Sequence, residues 1–360
     1  MVSGRIYPTS GIAHEAMGDD MRRDDTHHVV LWYTLTHDAP RGREILDALG
    51  ASDAIELREV THTPFVAPSS EDLAGCEAIV GEFCPVRGKG VDDCVAAGIR
   101  LVASMSIGLN HMDVDRLTQA GILVSNCPGY CAEDVATHAI ALMLDLEHKV
   151  SFANEGVRAG SWDPKAGYPV HRLSGQTLGL VFLGHIARAV VPMARALGMR
   201  VLVWAPTKTA AEVTEAGAEK VDTIDELCTA SDVVSLHCPL VPDTEGLIGA
   251  HELALMGPDA FLVNTARGEC MDEDALADAL DAGTIRAAGL DTLAHEGHDR
   301  NPRLIDHPRC LVTPHSAYDS VEAADALRQM ALAAVVELLV EGRLPTNAVN
   351  PEAADVASRA

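Results

Sequence analysis

Aromatic residues are scarce in this 360-residue chain: Phe, Tyr and Trp together make up 4% of it. The core, made sizeable by 48% apolar residues, is therefore mainly aliphatic. Long hydrophobic runs are missing too. None approaches the ~18 residues that a membrane-spanning helix needs, and no membrane partner is expected. The N-terminus lacks a charged region followed by an apolar one, so no secretory signal is read and the cytoplasm is expected. Lysine is rare, 5 against 22 arginines, and 53 acidic residues bring the net charge to −26. Such a surface repels phosphate backbones, which argues against nucleic acid as a partner. No CxxC pair occurs; Cys127 and Cys131 stand four apart across a Pro-Gly turn. The nine cysteines lie mostly in apolar segments and are expected to be reduced thiols, with no metal site.

What is present is organised around residues 178–206, LGLVFLGHIARAVVPMARALGMRVLVWAP. A short apolar run precedes Gly184. Ile186, Val190, Ala194 and Leu197 then recur at helical spacing, Gly198 closes the helix, and residues 201–204 form a second apolar strand. This is the βαβ pattern that carries a dinucleotide in Rossmann domains. Its glycine fingerprint is altered: Phe182, Gly184 and Ala187 fill the three glycine positions.

Along the chain, residues 1–27 are polar and without periodicity, and a flexible tail is expected. Strands are expected at 29–34, 78–81, 100–104 and 121–125, with helices at 41–49, 91–97 and 133–147. A looser stretch, 149–172, precedes the βαβ unit. Further strands are expected at 233–237, 260–264, 287–291 and 310–313, with helices at 223–229, 250–256, 272–282 and 321–341. Such alternation predicts parallel sheets covered by helices, an α/β fold.

Several segments then fall in a telling order: SIGLNHMD, PGYCAEDVATHAIALML, RAGSW, the βαβ unit, SLHCPL, FLVNTARG, AAGLDT and TPHSAY. Over about residues 73–347 the chain resembles the D-isomer-specific 2-hydroxyacid dehydrogenases. NTARG with TPHSAY is nearest to the branch of the C-terminal-binding-protein corepressors. The resemblance implies two Rossmann-like domains with a cleft between them. A flavodoxin-like substrate domain would be discontinuous (28–127 and 317–350), and an NAD(P)-binding Rossmann domain would span 128–316. It also implies a homodimer formed through the cofactor domain.

The implied chemistry can be followed residue by residue. Arg267 ends the strand FLVNTA, and the carboxyl end of a strand is where ligands bind in an open α/β sheet. A guanidinium grips a carboxylate through two hydrogen bonds, and a 2-keto acid offers one. Reducing the carbonyl needs a proton delivered to oxygen as hydride reaches carbon, a task that suits His315. A carboxylate beside a histidine favours its protonated form and fixes the ring. Glu296, 29 residues after Arg267, is the candidate partner. Gly297 stands where relatives usually have proline, so this loop is expected to differ in shape. By the resemblance, Ile107 and Gly108 offer backbone N–H groups to the substrate carboxylate, and Ser106 replaces the usual first glycine of that loop. Tyr318 is either an aromatic over the substrate or a packed ring at a helix start. Trp162 is expected to be a packing residue of the linker.

The resemblance places the cofactor against Gly184, His185, Ile186, Ala205, Thr207, Lys208, His237, Cys238, Pro239, Thr265 and Ala266, with Asp291 bonding the nicotinamide carboxamide. NAD-specific sites carry Asp or Glu ~20 residues past the glycines, and here Ala205 occupies that position. Lys208 is either a solvated loop lysine or a partner for a 2′-phosphate. NADP(H) is therefore slightly favoured over NAD(H). The leading reading is an NAD(P)-dependent oxidoreductase that interconverts a 2-keto acid and a D-2-hydroxy acid. A cofactor-sensing regulator on the same fold, and a pathway enzyme adapted to another ligand, are the alternatives. Phe182 is expected to turn its ring into the sheet's core rather than into the cofactor crevice.

Overall fold

The structure is a computed structural model that describes residues 26–34, 41–63, 65–82 and 84–357. Most of the expected tail lies outside these residues, but its last member, His27, already opens a strand. The chain divides into two compact units, one of residues 1–126 with 331–360 and one of residues 127–330.

The first unit carries five parallel strands: β1 (His27–Thr34), β2 (Ile55–His62), β3 (Ala78–Gly81), β4 (Leu101–Ser104) and β5 (Leu123–Ser125). Their order is β2-β1-β3-β4-β5, the flavodoxin-like arrangement. β3, β4 and β5 are continuous buried runs, as parallel strands covered on both faces must be. β2 was not expected. It is an edge strand, and its Glu56, Arg58 and Glu59 mask the pattern while protecting the edge. The C-terminal segment returns to the opposite edge. There Asn350 accepts from the Val124 N–H through Oδ1 at 2.7 Å and donates to the Ile122 carbonyl at 3.0 Å.

The second unit has seven parallel strands: β6 (Thr177–Val181), β7 (Arg200–Trp204), β8 (Glu219–Val221), β9 (Val233–Leu236), β10 (Phe261–Asn264), β11 (Ala287–Leu290) and β12 (Cys310–Val312). The order is β12-β11-β10-β9-β6-β7-β8. The strand sequence reverses direction between β6 and β9, and ligands bind outside the carboxyl ends at such a switch point. Apolar cores lie on both faces. One includes Leu227, Leu253 and Leu276; the other joins the long helix Ala132–His148 to the helix His185–Ala196.

The stretch expected to be loose contains a helix, Val150–Arg158. It was missed because none of its residues is buried, so its apolar residues carry no core signal. Val150, Phe152 and Val157 are exposed, and Trp162 is 87% exposed rather than packed along the linker. No helix among the described residues is long and apolar enough to cross a membrane.

Candidate active site

The three expected catalytic residues all belong to the second unit. Arg267, Asp291 and the turn 313–315 follow β10, β11 and β12, three neighbouring strands whose carboxyl ends lie side by side. Asn264, the last residue of β10, brackets the first loop. Its side chain donates to the Arg267 carbonyl at 2.8 Å and accepts from the Ala266 N–H at 2.9 Å. Gly268 shows how tightly that loop is seated. A Cβ there would fall 2.0 Å from the Ala294 nitrogen and 2.0 Å from the Leu293 carbonyl carbon. The loop bearing Arg267 therefore rests directly on the backbone that leads to Glu296. Only glycine permits that approach.

His315 and Glu296 meet. The imidazole Nδ1 lies 2.8 Å from Oε1 and 3.0 Å from Oε2 of the carboxylate. A carboxylate only accepts, so Nδ1 carries the hydrogen and Nε2 takes no part in the pair. His315 has φ 52, the left-handed region that non-glycine residues rarely adopt. Asp291 holds it there. Its carboxylate, 2% exposed, accepts from Thr313 Oγ1 at 2.5 Å and from the N–H groups of Ser316 and Ala317 at 3.0 Å each. The Asp291 carbonyl accepts from the His315 N–H at 2.9 Å. Asp291 is thus placed inside the turn that carries the histidine. His138, in the long helix, completes the arrangement, with Nε2 3.0 Å from Thr313 Oγ1. Sequence reasoning passed over His138, although the motif containing it was recognised. Tyr318 packs against a small cluster of Cys131, Val135, Ala317 and Ala323. Its ring also stands edge-on to His315 at 6.3 Å. Gly297 has φ 85, whereas proline is locked near −65°, so this loop follows a path closed to the usual residue.

Around the switch point, Gly184 caps the helix His185–Ala196 with no side-chain hydrogen bond and no acid in the first turn. A Cβ at Gly184 would meet nothing within 4 Å. Open space in front of a helix N-terminus, with the first-turn N–H groups of His185 and Ile186 behind it, suits a phosphate. At the end of β9, His237 bonds the Ser235 hydroxyl through Nε2 at 3.0 Å. Its buried Nδ1 has no partner among the described residues, and neither has Thr265 Oγ1 after β10. Burial pushes the His237 pKa down to about 4, keeping the ring neutral. Orphaned buried polar atoms at the carboxyl ends of these strands are what a dinucleotide would satisfy. Cys238 is buried and Pro239 exposed beside them, and Ala266 is tied to Asn264. These residues fit a nicotinamide dinucleotide.

Ala205 is 1% exposed, Thr207 is exposed, and Lys208 is half-buried. Its Nζ lies 3.2 Å from Glu212, and Lys220 Nζ donates to its carbonyl at 2.6 Å. Phe182 keeps the glycine-like backbone, φ 75. Its ring lies edge-on to Trp204 at 5.6 Å and packs on one apolar core, as expected, but stays only half-buried.

In the first unit, Ile107 and Gly108 lie in the loop after β4. Asn126 donates to the Ile107 carbonyl at 2.9 Å, and Ser106 donates to the Gly108 carbonyl at 2.8 Å. The hydroxyl that replaces a glycine therefore helps to fix the peptide planes of this loop.

A doubly wound parallel sheet, an open helix N-terminus at its switch point and a His–Glu pair beyond its strand ends define a dinucleotide-dependent oxidoreductase. Comparison with known proteins is more specific. Residues 140–317 match the model of the D-isomer specific 2-hydroxyacid dehydrogenase NAD binding domain. The chain is 35% identical over 257 residues to a hydroxypyruvate reductase of Blautia hydrogenotrophica, covering 70% of this chain and 79% of that protein. It spans about half the length, 48%, of the D-3-phosphoglycerate dehydrogenases it matches. Among solved structures it resembles D-lactate dehydrogenase with NAD+ from Lactobacillus jensenii (TM-score 0.73, 26% identity, 89% and 99% of the two chains). It also resembles an acyclic imino acid reductase in complex with NADPH and D-Arg (TM-score 0.75, 28% identity, 89% and 99%). The chain belongs to the D-isomer-specific 2-hydroxyacid dehydrogenase family.

Proposed function

We propose that this oxidoreductase reduces a 2-keto acid to a D-2-hydroxy acid with NAD(P)H. The observation that carries the reading is the His315–Glu296 pair, with Nδ1 within 3.0 Å of both carboxylate oxygens. The bound cofactor supplies the hydride. Arg267 holds the substrate carboxylate and polarises the carbonyl. His315 gives its Nε2 proton to the carbonyl oxygen while Glu296 keeps the ring oriented and stabilises its charged form. The backbone N–H groups of Ile107 and Gly108 are further donors to the carboxylate. We assign the first unit to substrate and the second to cofactor.

NADP(H) is favoured over NAD(H). Ala205 offers no carboxylate to repel a 2′-phosphate, and two of the chain's five lysines, Lys208 and Lys220, converge beyond β7. A 2′-phosphate would compete with Glu212 for Lys208, which limits the preference. The protein acts as a cytoplasmic homodimer. The exposed Val150, Phe152, Val157 and Trp162 of the cofactor-side unit supply apolar area for a second copy.

A panel of 2-keto acids with NADPH and NADH tests the proposal. Turnover that is lost in Arg267→Ala and reduced in His315→Ala is expected. Equal turnover by both variants and the parent would refute it.

A further inference from the structure

We propose that Phe182 and Trp204 form an aromatic wall for the adenine base of the cofactor. The grip on the nucleoside half then rests on the base rather than on a ribose-binding carboxylate. This inference builds on the reading that the second unit binds NAD(P)H.

Phe182 occupies the first fingerprint position, immediately after β6. Its N–H donates to the Trp204 carbonyl at 2.7 Å, so it lies beside the end of β7. Its φ of 75 is costly for a residue with a Cβ. Strained backbone of this kind persists where the surroundings fix it and gathers at ligand sites. Here the surroundings are aromatic: the two rings are 5.6 Å apart and 79° to one another, the edge-to-face geometry that aromatic pairs prefer. The chain has thirteen aromatic residues in 360 positions, and two of them are placed at this one turn.

The direction of the ring decides between obstruction and support. Phe182 packs on the core that includes Val181, Leu202 and Leu236. The helix His185–Ala196 belongs to the other core. No atom of Phe182 comes within 4 Å of a Cβ built on Gly184, so the approach of a pyrophosphate to the helix is unobstructed. Both rings remain only half-buried. They stand at the end of the second strand of the βαβ unit, where the adenosine half of a dinucleotide lies. The carboxylate that would hold its ribose is missing, since Ala205 follows Trp204. An adenine base offers a π-face, and aromatic side chains hold such faces without needing hydrogen bonds.

Calorimetric titration with 5′-AMP, NMN and NADPH tests the wall, together with tryptophan emission during the AMP titration. Phe182→Gly should weaken both AMP and NADPH about tenfold, the scale of one base–aromatic contact, and leave NMN unchanged. Glycine relieves the left-handed φ but removes a ring packed on the core, so unchanged NMN binding is what separates loss of the wall from misfolding. Phe182→Tyr should retain parental affinity. AMP should quench the emission of the parent, and Trp204→Phe should remove that response. Phe182→Gly that binds AMP as tightly as the parent, or more tightly, overturns the wall while NADPH binding by the parent keeps the cofactor reading. A parent that binds none of the three overturns both.

Discussion

Gly268→Ala is the most incisive perturbation of the active site, because it adds one methyl group against backbone. The new Cβ would lie 2.0 Å from the Ala294 nitrogen and 2.5 Å from the Leu293 Cα. Ordinary contact begins at 3.4 Å, so one side must retreat by about 1.4 Å. Neither side can do so freely. The Arg267 side is bracketed by two hydrogen bonds to Asn264. The other side is held where the Ala294 N–H donates to Glu273 at 2.6 Å. Any retreat therefore reaches Arg267, or Glu296 two residues beyond Ala294. Overpacking of this kind costs about 1–3 kcal/mol of stability. Misplacing a catalytic group by ~1 Å costs about 10²-fold in rate. Steady-state kinetics with a 2-keto acid should show kcat/KM lower by roughly that factor, with a protein that still melts cooperatively. Full kcat/KM in a folded Gly268→Ala protein would show that the two loops are not in contact.

Other expectations concern single groups. His315→Ala should lower kcat by about 10²–10⁴-fold, the usual worth of a proton donor. Glu296→Gln, which keeps an acceptor for Nδ1, should lower it less; stopped-flow single turnovers would rank them. His237 titrates near 4 when folded because burial disfavours its charged form, against 6.5 when free. The unfolded chain therefore binds the extra proton first. Stability is unaffected above about pH 6.5, falls as pH drops from 6.5 towards 4, and by then has lost up to about 3 kcal/mol. Urea unfolding at both ends of that window should show a smaller loss for His237→Gln, and an equal loss would refute the assignment. NADPH should support reduction at least as well as NADH, and Lys208→Ala should weaken NADPH selectively. The loss should stay under about tenfold, since the lysine is partly exposed. A strong NADH preference untouched by Ala205→Asp would contradict this.

What the sequence disclosed follows from how each residue is used. β3, β9 and β10 could be read because strands buried on both faces are unbroken apolar runs. β2 and β8 could not, since these edge strands mix Glu, Arg and Lys into their patterns. Arg267, Glu296 and His315 were legible through the order and spacing of their motifs. The arrangement that holds them was not. Thr313 and Asp291 are 22 residues apart, His138 and Thr313 are 175 apart, and only the folded sheet brings them together. Lys208 looked like a loop cation because its partner Glu212 reaches it only through the helix turn that Thr209 caps. Phe182 had two possible directions in the sequence, and only the folded sheet shows it half-buried, with its ring resting on the core and on Trp204.

The left-handed backbone at His315 also bears on how such a protein could change occupation. Few residues tolerate that conformation, and Asn and Gly tolerate it best. A mutation to a β-branched residue there would disturb the turn that Asp291 secures and would be removed by selection through instability. Asn, one nucleotide from His in the genetic code, would leave the turn intact while removing the proposed proton donor. The same strain that aims the imidazole therefore filters its replacements towards those that silence chemistry and spare the fold. A catalytically mute, ligand-binding descendant lies one tolerated step from this enzyme.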